Sequence, residues 1–207
     1  FWSLDSNEAL IIKDEKQVSL IECVLDTTYT TKPWIVKNHY TQEKEILLQD
    51  DKNTLYLINN VGKILWKKKM SQKIVGDVYL VDRYRNKKYQ YLFGTKKSLQ
   101  LIDRNGNSVS GYPVKLKKEL TQGIAVLDYD HNRKYRILVP CGKKLYNYSE
   151  DGKIVKGWTF GSSKANIANT PELLQSKKKD YIVFSDVNGN VYTLNRKGES
   201  RILFNNK

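Results

Sequence analysis

The chain has 207 residues, 40% hydrophobic and 28% charged, with 36 Lys and Arg against 22 Asp and Glu and a formal net charge of +14. That is enough apolar matter for one ordinary domain or a few repeat units, which excludes disorder as the default, and no run of 18 apolar residues exists to form a membrane-spanning helix. Two cysteines, Cys23 and Cys141, lack C-x-x-C spacing, so a zinc site or a thioredoxin-type redox pair is unsupported; a disulfide between them is left open.

Phe1 is not an initiator methionine. The expectation is a processed product or a piece of a longer chain, and removal of a signal peptide or lipid anchor is an open question. Residues 1–33 read as an atypical unit. Apolar runs at 9–13 and 18–22 flank the turn Asp14-Glu-Lys and predict a hairpin. Residues 25–31 predict a third strand, and with 1–4 these make one shortened sheet.

From residue 34 the chain repeats. Segments 34–62, 78–106, 124–152 and 170–198 align without a gap, offset by 44, 46 and 46 residues. The most regular part is a short strand and a turn: Leu55-Tyr-Leu-Ile-Asn-Asn-Val-Gly62, Leu99-Gln-Leu-Ile-Asp-Arg-Asn-Gly106, Leu145-Tyr-Asn-Tyr-Ser-Glu-Asp-Gly152 and Val191-Tyr-Thr-Leu-Asn-Arg-Lys-Gly198. Each glycine ends a turn that needs positive φ, and Asn105-Gly106 and Asp151-Gly152 are strong hairpin signals. Upstream of each lies another apolar run (Leu47-Leu48, Tyr91-Leu-Phe93, Ile137-Leu-Val139, Val183-Phe184), joined to it by turn-type windows such as Pro140-Cys-Gly-Lys-Lys144 and Asp186-Val-Asn-Gly-Asn190. Downstream, a fourth run carries an aromatic residue: Trp66, Tyr112, Trp158 or Phe204. Gly111 and Gly157 precede two of these, where a small residue would let the ring pack close. Pro171-Glu-Leu-Leu-Gln aligns with first strands elsewhere.

Four strands per 44–46 residues is the pattern of a β-propeller blade, a sheet that must bury its faces against its neighbours. The predicted fold class is all-β: a β-propeller of ~45-residue four-stranded antiparallel blades, with a short N-terminal blade (1–33) and four regular repeats at 34–77, 78–123, 124–169 and 170–207. A five-bladed ring and an open arc of a larger ring both fit the count; the character of the chain ends favours the arc.

Charge is carried by 29 Lys and only seven Arg. Lysine solvates a surface, whereas arginine is the usual residue for bidentate phosphate and base-edge contacts. The balance therefore points to a solvated basic face rather than to nucleic acid. Lysine clusters at 67–69, 115–118 and 177–179 leave an anionic polymer or surface as an alternative partner, although Tyr89, Tyr135 and Tyr181 occupy repeat columns that blade packing explains better than base stacking.

Asp128, Asp130 and Asn132 match the Asp-x-Asp-x-Asn opening of a calcium loop, but the ninth position is Arg136, and an Asx-type turn is the competing reading. His39 and His131 lack a nearby nucleophile and read as loop residues. Cys141, beside Lys143 and Lys144, reads as a packed small residue, with a cation-activated thiol as the sharper alternative. No G-x-x-x-x-G-K loop is present, and Asp50-Asp51 lies in a turn.

The segments 55–66, 91–106, 135–158 and 181–198 resemble the repeats of quinoprotein-like and YVTN-type propellers. Phrases such as Tyr91-Leu-Phe-Gly-Thr, Leu101-Ile-Asp-Arg-Asn-Gly and Gly157-Trp are similar to those of large, uncharacterised propeller-containing proteins of the Gram-negative envelope. This resemblance covers residues 34–204 and implies an extracytoplasmic setting and a non-catalytic platform. The sequence departs from the quinone enzymes, having neither their metal ligands nor their adjacent cysteines, and it lacks the Gly-His and Trp-Asp signature of WD-type blades.

The functional expectation is a non-catalytic binding or scaffold module that needs no cofactor. It would present loops 82–88 and 128–134 at one end of the blades, and 50–54 and 186–190 at the other, to a protein or glycan partner. A degenerate quinoprotein-like or other propeller enzyme, and a binder of anionic polymers, are the alternatives. A second copy, or the remainder of a longer chain, is the expected means of completing the ring.

Overall fold

The computed structural model describes residues 2–4, 10–12, 23–176 and 179–202, and these fall into two compact units, the first comprising the described residues up to 73 with 104–106 and the second those of 74–103 and from 107 onward.

In the first unit, β1 (Trp2–Leu4) pairs antiparallel with β2 (Leu10–Ile12). The run at 18–22, expected to pair with 9–13, lies outside the described residues. The expected third strand at 25–31 is irregular chain instead. Its threonines bond sideways: Thr28 and Thr30 donate to the Asp51 carboxylate at 2.9 and 2.7 Å, and Thr31 donates to the Gln49 carbonyl at 2.6 Å. β-Branched composition suggested a strand, but the hydroxyls offered the chain a different set of partners. The four-stranded sheet that follows runs in order through β3 (Trp34–Lys37), β4 (Lys44–Gln49), β5 (Thr54–Ile58) and β6 (Ile64–Lys69). Ile46, Leu48, Tyr56 and Ile58 form a core on one face with Cys23, Leu25 and Tyr29 of the preceding segment.

The second unit holds three sheets. The first contains β7 (Ile74–Val81), β8 (Gln90–Thr95), β9 (Ser98–Asp103) and β10 (Val114–Lys115) as consecutive antiparallel neighbours. The second contains β11 (Ala125–Leu127), β12 (Arg136–Cys141) and β13 (Lys144–Ser149), and the third β14 (Glu172–Ser176), β15 (Lys179–Ser185), β16 (Val191–Leu194) and β17 (Ser200–Ile202). Residues 172–176, which align with the first strands of the other copies, are strand.

Period-two alternation shows why these sheets stack. Along β12, Ile137, Val139 and Cys141 point into a core shared with Leu92, Leu99 and Leu101 of the preceding sheet. Leu138, on the opposite face, joins Ile182, Phe184 and Leu194 of the following sheet. A central strand buried on both faces is what blade-on-blade packing requires.

The turn glycines behave as their column predicts. Gly62, Gly106, Gly152 and Gly198 have φ of 80°, 82°, 73° and 84°. The residue three before each is Asn59, Asp103, Ser149 or Asn195, and in each case its N–H bonds the carbonyl of the residue after the glycine, at 2.8–3.0 Å. The conformation requires glycine, and so does the space. A Cβ at Gly106 would lie 3.2 Å from the Trp66 ring, one at Gly152 would lie 2.3 Å from Val114, and one at Gly198 would lie 3.1 Å from the Trp158 ring. Gly111 and Gly157 correct the expectation of close ring packing. Added Cβ atoms there meet an oxygen at 3.8 Å and nothing within 4 Å, respectively. Both are set by φ, at 86° and 79°.

The second sheet of this unit departs from four full strands. After Gly152 only the bridge Tyr148–Ile154 forms. The Leu145 carbonyl, which a fourth strand would occupy, accepts the Trp158 indole N–H at 2.8 Å.

Candidate functional site

In the second unit the antiparallel order puts two kinds of loop at two opposite ends of the sheets. At one end lie the first-to-second strand loops 82–89 and 128–135 and the third-to-fourth strand turns 149–153 and 195–199. At the other lie the second-to-third hairpins and the linkers 116–123 and 159–171.

At the first end the loops are two copies of one device. The Asp82 carboxylate accepts the backbone N–H groups of Asn86 and Lys87 at 3.0 and 2.8 Å, and Asn86 accepts that of Lys88 at 3.0 Å. Forty-six residues later, Asp128 accepts from Asn132 and Arg133 at 3.0 and 2.9 Å, and Asn132 accepts from Lys134 at 3.0 Å. The three residues of the calcium-loop reading thus have these partners: Asp128 and Asn132 cap backbone N–H groups, and Asp130 pairs with Arg196 at 2.7 Å. Among the described residues no group of three or more His, Cys, Asp or Glu side chains is placed to share an ion. His131 is exposed at φ 51° within this loop, and His39 packs its ring beside Tyr40, 4.3 Å between centroids.

The arginines are all engaged. Arg83 reaches Asp151 at 2.9 Å and the Ser110 carbonyl at 2.7 Å. Arg85 and Arg136 flank Glu150 at 3.5 and 3.6 Å, and Arg133 meets the buried Asp82 at 3.0 Å. Arg196 joins Asp130 to Asp180, and Arg201 bonds the Asp180 carbonyl at 2.8 Å. The seventh, Arg104, belongs to the first unit and bonds Glu45 there at 3.0 Å. Every guanidinium is committed to a carboxylate or a carbonyl within its own unit.

The second end is different. Its loops and linkers (95–98, 116–123, 141–144, 159–171 and 186–190) carry seven lysines (96, 97, 117, 118, 143, 144 and 164) and no arginine; their acids are Glu119 and Asp186. Asp186 is buried and serves the hairpin. Lys96 pairs with Glu119 at 3.2 Å and Lys144 reaches the Gly161 carbonyl at 2.6 Å, while the amines of Lys117, Lys118, Lys143 and Lys164 have no hydrogen-bond or ion-pair partner among the described residues.

The scaffold under these lysines is held by backbone bonds. The ladder closes at Cys141 with Lys144, so the turn is tighter than its five-residue window suggested. The Gly142 N–H donates to Thr121 Oγ at 3.0 Å, the Ile167 N–H to the Gly142 carbonyl at 2.9 Å, and the Ser163 N–H to the Lys143 carbonyl at 2.9 Å. The Cys141 thiol donates to the Lys118 carbonyl at 3.4 Å. The hairpin is thereby clamped between both linkers. Between them lies an open trough of about 520 Å³ lined by Lys118, Glu119, Cys141, Gly142, Lys143, Lys144, Ser162 and Asn166. Burial pushes the Cys141 thiol up to about 11 against the opposing charge of Lys118, so it stays protonated. The cation-activated thiol is therefore ruled against, and Cys23 and Cys141 are both buried free thiols. Sequence reasoning noted Lys115–118 and Cys141-Gly-Lys-Lys separately; nothing in the sequence joins them.

No family model matches the chain, and no curated protein matches it. Solved structures do. BBS1N, in a crystal structure in complex with ARL6DN, aligns over 97% of this chain and 60% of its own at 17% identity, with a TM-score of 0.63. A mercury-soaked crystal of the same complex gives 0.64. The Neurospora crassa Pan2 WD40 domain aligns over 81% of this chain and 48% of its own at 12% identity, with a TM-score of 0.53. The chain thus spans about 60% or less of these neighbours. At such identities the likeness defines the fold, and the fold is a β-propeller.

Proposed function

We propose that this chain is a non-catalytic propeller scaffold that holds a protein partner at the lysine-bearing end of its second unit. One observation carries the reading: seven lysines against two acids, one of them buried, stand on hairpins and linkers that hydrogen bonds fix in place. Four of the amines are exposed and without a partner among the described residues, while at the other end Asp82, Asp128, Asp130, Glu150, Asp151 and Glu199 offset the cations. Rigid sheets presenting charged loops are the usual way a propeller binds. The neighbour BBS1N was crystallised with a protein partner, which supports the reading by analogy of fold alone. The narrower assignment to quinoprotein-like or YVTN-type repeats, and with it an extracytoplasmic setting, rests on the sequence phrases around residues 91–106 and 157–158.

Lysine-directed cross-linking in extracts of the native source tests this. Cross-links to a stoichiometric protein partner are expected to concentrate on residues 96–97, 117–118, 143–144 and 164, and to vanish in a Lys96→Glu, Lys117→Glu, Lys164→Glu variant while persisting in a Lys87→Glu, Lys134→Glu control. Equal retention by both variants, or capture that nuclease or glycosidase abolishes, overturns the proposal.

A further inference from the structure

We infer that the trough between linkers 116–123 and 159–171 takes an extended peptide segment rich in Asp or Glu; this deepens the platform reading and rests on it. The trough is open to solvent, and its volume of about 520 Å³ has room for a few residues of chain. Its lining carries Lys118 and Lys143, two exposed amines without partners among the described residues, and Lys144, whose amine is tethered to the Gly161 carbonyl.

The lining disfavours base-specific nucleic-acid readout and leaves a peptide carboxylate as the anion it suits. Lysine is a point charge with three rotatable donors and takes a carboxylate in any orientation. Bidentate phosphate recognition favours the arginine fork, and no arginine lines the trough. No aromatic side chain lines it either, so bases would find no stacking platform there. Glu119 also lines the trough; its charge is offset by Lys96 at 3.2 Å, and its carboxylate oxygens can accept backbone N–H groups of a peptide. Ser162 and Asn166 add neutral polar groups suited to the same backbone. The floor is pre-formed: Gly142 is fixed by Thr121 and Ile167, and the Cys141 thiol is neutral and packed. A peptide therefore pays for its own ordering and little for that of the site.

Fluorescence anisotropy with a labelled ten-residue Glu/Ala peptide tests the inference. The probe is compared with the Gln/Ala peptide of the same length and with oligothymidylate. The Glu peptide is expected to bind about tenfold or more tightly than the Gln peptide, with affinity falling as salt rises. A Lys118→Glu, Lys143→Glu variant is expected to lose about tenfold for the Glu peptide and to gain affinity for a Lys/Ala peptide, while Lys87→Glu, Lys134→Glu stays within about twofold of the parent. Should the double glutamate variant fail to fold, Lys118→Gln, Lys143→Gln is expected to show the same loss. Equal binding of Glu and Gln peptides, tighter binding of oligothymidylate, or an unchanged affinity in the folded variants overturns the inference. If that happens while the cross-links of the preceding section still depend on the lysine-bearing end, the platform reading stands and only the acidic-peptide ligand falls.

Discussion

Asn147 is the residue that its own repeat column argues against. The column holds Leu57, Leu101, Asn147 and Thr193, all buried. Leu57 and Leu101 fill their sites with hydrocarbon, but Asn147 is 1% exposed, and among the described residues neither its amide oxygen nor its amide nitrogen has a partner. A buried polar group without hydrogen bonds costs about 1–3 kcal/mol, whereas an apolar group of similar size at the same place gains transfer free energy. Asn147→Leu is therefore expected to stabilise the fold by about 1–2 kcal/mol, raising the melting temperature by roughly 2–8 °C for a chain of this size. Thermal melts followed by circular dichroism measure it. A lower melting temperature in Asn147→Leu would mean that the amide is bonded in solution, and that this copy broke the column to make that bond.

At the scale of the hairpin, one design occurs once in each unit. Asp50 sits where β4 turns into β5; it accepts the Thr54 N–H at 2.7 Å and the Tyr56 hydroxyl at 2.9 Å. Asp186 sits where β15 turns into β16; it accepts the Asn190 N–H at 3.0 Å and the Tyr192 hydroxyl at 2.9 Å. The Asp-x5-Tyr spacing was present in the sequence at equivalent positions of two copies, yet Asp50 read only as a turn acid, because nothing local shows that a tyrosine two residues into the next strand folds back on it. The second and third strands of each repeat and the turn glycines were legible because each depends on neighbours in sequence, whereas the run at 25–31 and the fourth strand after Gly152 were misread because side chains took over the backbone partners there. The trough was not legible, because residues 118, 141 and 162 meet only after two blades have packed. Burial works to raise the Asp186 carboxyl, but donors from Asn190, Tyr192 and the Ala165 N–H outweigh it and hold the group at about 2. A folded value below the ordinary carboxylate value of about 4 contributes stability that is complete above that value and is lost as pH falls through the window from about 4 to about 2. Asp186→Asn is expected to melt several degrees lower near pH 7 and to lose less than the parent between pH 4 and pH 2. Melting curves across that range decide it: two parallel pH profiles would show that the carboxylate charge contributes nothing to the hairpin.

At the scale of the molecule, the net charge of +14 conceals a division of labour between two cations. All seven arginines are bound to carboxylates or carbonyls within their own units. Composition showed the excess of lysine but not its placement, since pairing depends on which strand ends meet. This placement sets what the chain does with a polyanion. Lysines on a solvated end attract phosphates by releasing counterions, a term that carries no sequence information and falls steeply with salt. Base-edge readout needs free arginine or amide forks, and the guanidiniums are occupied. The chain is therefore expected to bind single-stranded DNA weakly at roughly 50 mM salt, without preference among sequences, and to release nearly all of it by roughly 200 mM. Filter-binding titrations over that range, with pools of differing composition, measure both properties. Retention at the higher salt with selection among sequences would require at least one guanidinium to leave its carboxylate, and would sink the division of labour argued from the ion pairs.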